Sequence, residues 1–104
     1  MPPFEIPIGK NAFLYTNPIN MKWGDKKLTQ LCKESFGVDP AESQHVFLFF
    51  NKAQDQLRIF FVDQQGPEMI TKLLMKGSFI LPASNKEDET FIEITSTLLK
   101  KLFR

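Results

Sequence analysis

Apolar positions fall along this chain in two rhythms. From Gly24 onward, Leu28, Leu31, Cys32 and Phe36 recur at the spacing of one helix face, while Lys26, Lys27, Lys33 and Glu34 lie largely outside it. Gly37 supplies a stop for that helix, and Asp39-Pro40 a turn. Elsewhere the runs are short, aromatic and β-branched: "AFLYT" at 12–16, "HVFLFFN" at 45–51, "QLRIFFVD" at 56–63 and "TFIEI" at 90–94 all read as strands. The segment "EMITKLLM" at 68–75 also fits a helix through Met69, Leu73 and the Ile70/Leu74 pair. The short connections "QQGP" and Lys76-Gly77 leave little room for a crossover, which favours a strand there, followed by "SFIL". Three hairpin connections in succession predict a meander. The expected class is α+β: an antiparallel β-meander of four to six strands, a helix in the N-terminal half, and a short C-terminal helix from "TSTLLKKLF". Residues 1–11 carry three prolines and a glycine and predict an extended arm on a single domain, 1–104.

The predicted strands are apolar on both faces rather than alternating, so both faces are expected to be covered. Two helices are few for that task, and a symmetric homodimer is the default expectation for the remainder. Eleven phenylalanines point to a core built on aromatic strand residues, with any surplus available to an interface.

Charge narrows the choices. Thirteen basic and twelve acidic residues leave a net charge of +1, so any nucleic-acid contact must be a local patch rather than a general basic excess. A single cysteine, Cys32, allows no internal disulfide and no thiolate zinc cluster, which fits a reducing compartment. The start "MPPFEIPIGKN" does not read as a signal peptide, and the longest apolar run, Val46 to Phe50, is too short to cross a bilayer. The expectation is a cytoplasmic protein without a membrane contact.

Little in the chain suggests catalysis. His45 is the single histidine, has no nucleophile or carboxylate beside it in sequence, and is placed to open a strand. Glu87, Asp88 and Glu89 are consecutive in a charged loop, which suits a solvated face better than converging metal ligands. No phosphate-cradling glycine pattern occurs, and neither a cofactor nor a metal is expected.

The basic residues say more. Arg58 and Lys72 each interrupt an apolar strand, and if the turn sets Asp63 opposite Pro67 they face one another on one side of the sheet. Two cations so placed call for an acid or an external anion between them. A register change of one residue sends them to opposite faces, and two cations snorkelling at the sheet margin are the plainer alternative. In "NPINMKWGDKKL" the single tryptophan, Trp23, precedes the helix beside Lys22. It serves either as a lid on the local core or as a stacking or anchoring side chain, and packing is the preferred role, with Lys22 the exposed element.

The order of these pieces carries a resemblance. "FLYTNPINMKWGDKKL", "GVDP", "VFLFFNKAQDQLRIFFVDQQG" and "TKLLMKGSFILP" together resemble the small accessory protein of the insertion-sequence-sixty-six family of bacterial transposable elements. The likeness spans about residues 12–82, through Pro18, Met21, Lys22, Gly24, Leu28, Asp39, Pro40, Asn51, Lys52, Arg58, Asp63, Gly66, Lys72, Leu74, Gly77 and Phe79. Departures fall at Asn20 for the usual Asp, Trp23 for a second basic residue, Val62 for an aromatic, and Leu73 and Met75 for an Arg and a Glu. The resemblance implies a non-catalytic factor that supports transposition by contacting DNA or the transposase machinery, with Lys22, Lys52, Arg58 and Lys72 as contact residues. The alternative is a protein-interaction or oligomerisation module without nucleic-acid contact.

Overall fold

The computed structural model describes residues 10–78 and 90–95. Its elements are β1 (Ala12–Tyr15), α1 (Asp25–Phe36), α2 (Pro40–Ser43), β2 (Val46–Phe50), β3 (Gln56–Asp63), β4 (Gly66–Leu73) and β5 (Phe91–Ile94). The five strands form one sheet in the order β4-β3-β2-β1-β5. The α+β class therefore holds, and "EMITKLLM" does contain a strand. The predicted "SFIL" strand, the charged loop with its acidic cluster, the C-terminal helix and most of the N-terminal arm lie outside the described residues.

One expectation is corrected. The sheet is mixed: β2, β3 and β4 form an antiparallel meander, but β1 runs parallel to β2, with Ala12 opposite Val46 and Leu14 opposite Leu48. The cause is the helix between them. A tight turn reverses a chain, whereas a helical connection returns it to the end where it started, so the next strand can run in the same direction. β5 then lies antiparallel to β1, on the side away from β2.

Local chemistry explains the element ends. Gly37 takes the left-handed conformation at φ 72°, and its N–H reaches back to the Cys32 and Lys33 carbonyls, closing α1. Asp39 then caps a one-turn helix where a turn was expected: its carboxylate accepts from Ala41 N–H at 3.0 Å, with Pro40 in the first helical position. In the β3–β4 turn the Asp63 carboxylate accepts from Gln65 N–H at 2.8 Å, and Gly66 follows at φ 127°, a conformation that favours glycine.

The strands bury both faces. On one side Phe47, Phe49, Phe60 and Phe91 pack under α1 through Leu28 and Cys32. Phe91 is the hub of this aromatic layer, with ring centroids 5.0 Å from Tyr15 and 4.9 Å from Phe36. On the other side lie Leu14, Val46, Leu48, Leu57, Ile59 and Ile94, each at most 2% exposed. The whole of β2 is buried. No described phenylalanine is exposed, so no aromatic surplus remains for an interface among the described residues; the exposed large apolar side chains are Met69, Leu73 and Met75. All three belong to β4 or its exit.

Candidate functional site

The segment entering α1 is built from backbone-shaping residues. Ile19 is buried, and its N–H donates to the Phe50 carbonyl at 2.8 Å, tying the loop to the end of β2. Asn20 next accepts twice, from Lys22 N–H at its side chain (2.9 Å) and from Trp23 N–H at its carbonyl (3.0 Å). An aspartate fits the first of these roles equally well, so asparagine at this position leaves the turn intact. The turn exposes Lys22 and lays Trp23, half-buried, against the α1 side of the core. Lys27, in the first turn of the helix, holds its ammonium 5.3 Å from the centre of the Trp23 ring. Gly24 caps α1 without a side-chain bond, and Asp25 supplies the negative charge suited to that end of the helix.

Arg58 reaches this segment from the sheet. Its Nη1 donates to the Trp23 carbonyl at 2.8 Å and its Nε to the Thr71 hydroxyl at 3.1 Å, so one guanidinium joins β3, β4 and the helix entrance. Partial burial lowers its pKa from the ordinary value. Two donors of the fork are thus committed inside the fold.

The four expected contact residues do not converge. Register sets Asp63 opposite Gly66, one residue from the arrangement that would bring the two strand cations together; Arg58 faces Thr71, and Lys72 faces Leu57. Because side chains alternate across a strand, Lys72 lies on the face opposite Arg58. No anion is needed to reconcile them. Lys52 is exposed in the β2–β3 turn, where the structural work belongs to its neighbour Asn51. The Asn51 side chain donates to the Asp55 carboxylate at 2.6 Å and accepts from Asp55 N–H and Gln56 N–H at 3.1 and 3.0 Å. Lys22, Lys52 and Lys72 are exposed, and among the described residues none of them forms an ion pair.

Lys26 and Lys27 stand at the partly positive start of the helix, where the sequence calls for an anion or for solvation, and both are exposed, as is Lys33 further along α1. A hollow of about 300 Å³ on the outside of α1 is lined by Asp25, Lys26, Thr29, Gln30 and Lys33.

His45 has a structural place. Its Nδ1 accepts from Asn11 N–H at 3.2 Å, and its ring meets Phe13 edge-on with centroids 5.5 Å apart, just before β2 begins. Cys32 is fully buried and its thiol is pushed up to about 12 by burial. Among the described residues no group of three potential metal ligands occurs, and no helix is long and apolar enough to cross a membrane.

A mixed sheet with one helix across it, turns set by Asn, Asp and Gly, and solvent-facing lysines define a small α+β module. The chain matches the family described as IS66 Orf2-like protein over residues 10–104 and belongs to that family, which associates it with a transposable element. No curated protein and no solved structure matches it. Several residues that carry the resemblance have conformational roles in this fold: Asp39, Pro40, Asn51, Asp63 and Gly66 shape caps and turns. Leu73 and Met75, which stand where the resemblance has charges, are 55% and 89% exposed.

Proposed function

We propose that this chain is a non-catalytic accessory protein that supports transposition by contacting DNA through exposed lysines around the entrance of α1. Lys22 is the leading contact, joined by Lys26 and Lys27. Family membership supports the setting, and the observation that carries the surface is the turn at Asn20, which turns Lys22 to solvent while Trp23 packs inward. Lysines in this arrangement neutralise phosphates and position a duplex without reading its sequence. The transposase is the second partner in this reading, and Lys52 and Lys72 belong to other parts of the surface. The cytoplasm is the compartment that suits such a role.

The test is binding of the full chain to a duplex carrying the element's terminal sequence, from low to moderate salt. Binding should weaken steeply with salt, and Lys22→Ala should reduce the log–log slope by about one unit. Lack of binding at low salt, with the transposase still captured, transfers the role to protein interaction. The exposed Met69, Leu73 and Met75 favour that second reading.

A further inference from the structure

Among the described residues β4 is an edge of the sheet, with β3 its one neighbour. Its hydrogen-bonding direction follows from a bond just beyond its end, where Leu74 N–H donates to the Asp55 carbonyl at 2.7 Å. In an antiparallel ladder the residues that exchange bonds with a given neighbour alternate. Counting back through the register, Lys72, Ile70 and Glu68 bond to β3 opposite Leu57, Ile59 and Phe61. Pro67, Met69, Thr71 and Leu73 therefore turn their backbone groups outward. Pro67, which has no N–H, sits where a proline costs the sheet no bond. Among the described residues the rest of this edge pairs with no strand, and it carries Met69 and Leu73 at 39% and 55% exposure.

We propose that β4 pairs antiparallel with β4 of a second copy of this chain, about a two-fold axis through Ile70, so that one sheet runs across both molecules. The strand is self-complementary in this register alone. Ile70 meets Ile70 of the second copy, Glu68 meets its Lys72 and Lys72 its Glu68. Met69 and Thr71 then exchange backbone bonds on both sides of the axis, and Leu73 N–H reaches the Pro67 carbonyl. A shift that puts Thr71 on the axis sets Lys72 against Ile70 and Glu68 against Leu74. A shift to Met69 sets Glu68 against Ile70 and Lys72 against Gly66. Only the Ile70 axis gives every charge an opposite partner, which is the pairing antiparallel strands favour. The surface is also distinct from the doubly apolar strands Val46 to Phe50 and Leu57 to Val62 that favour self-association on sequence grounds: β2 is already buried within the single chain. A contact of one strand per molecule is small for a stable interface, so association in the micromolar range or weaker is expected.

Sedimentation of the full chain over a wide concentration range tests this independently of any DNA contact. Reversible dimers are expected. Glu68→Lys and Lys72→Glu, both exposed and checked for folding by circular dichroism, each weaken the dimer by about tenfold, and the double reversal restores it. Ile70→Cys forms an intermolecular disulfide on mild oxidation while Thr71→Cys does not, because the axis brings only position 70 against itself, at a non-hydrogen-bonded pair. The native Cys32 is fully buried and does not compete. A chain that stays monomeric at every concentration, a double reversal no better than either single change, or preferential cross-linking through Thr71→Cys overturns the proposal.

Discussion

The Arg58 guanidinium donates to the Trp23 carbonyl at 2.8 Å, fastening the turn before α1 to the first half of β3. The Thr71 hydroxyl receives a second bond from the same fork, so β4 is held as well. Arg58→Ala should lower stability by about 1–2 kcal/mol through these lost bonds, and Arg58→Lys should recover little because an ammonium cannot reproduce the planar fork. Urea unfolding followed by the fluorescence of the single tryptophan checks this. A loss of DNA affinity without any change in midpoint would make Arg58 a direct contact instead.

Trp23 lies half-buried on the aromatic side of the core with Lys27 against its ring. Its replacement by alanine removes apolar area and the cation contact together, so Trp23→Ala should cost more than about 1 kcal/mol. Trp23→Phe should retain most of that. An unchanged melting temperature accompanied by lost partner binding would move Trp23 from the core to the contact surface.

Asn51 and Lys52 are neighbours with opposite expectations. Asn51 makes three side-chain bonds that close the β2–β3 turn, and Asn51→Ala should cost roughly 2 kcal/mol, since part-buried N–H groups lose their acceptor. Lys52 is exposed beside it, and Lys52→Ala should stay within about 0.5 kcal/mol. Denaturant titrations of the two variants decide the matter directly.

Cys32 predicts a pH dependence. Its thiol is raised from 9.0 to about 12 in the folded chain by burial. Below pH 9 both states keep the proton and nothing changes. Between pH 9 and 12 the unfolded chain releases it while the folded chain does not, so this group lowers stability by about 1.4 kcal/mol per pH unit. Cys32→Ala should remove that slope at the cost of a small cavity. Thiol reagents should label the native chain only as fast as it opens; immediate labelling at neutral pH would contradict the burial.

Some of this was legible along the chain. The helix over Asp25–Phe36 follows from the spacing of Leu28, Leu31, Cys32 and Phe36 with Gly37 behind them, because a helix face and its cap are decided within a few turns. The β2–β3 hairpin follows from two aromatic runs around a polar turn. Likewise, the exposure of Lys22 beside a packed Trp23 follows from an asparagine turn feeding an amphipathic helix.

Tertiary structure decided which strand lies beside which and in what register. Nothing local in "AFLYT" states that β1 joins β2 in parallel; the crossover through α1 and the burial of Phe13, Phe47 and Phe49 beneath it do. The β3–β4 register is the sharper case. With Asp63 opposite Pro67, Ile70 would face Phe60 and point to the helix side, whereas the observed turn sets Ile70 opposite Ile59 and packs it against the second core. The Asp63 bond to Gln65 and the glycine conformation at Gly66 accommodate that shorter turn. Arg58 and Lys72, which a turn setting Asp63 opposite Pro67 would bring together, lie apart in the fold, because strand side chains alternate and a shift of one residue exchanges the two faces of a sheet.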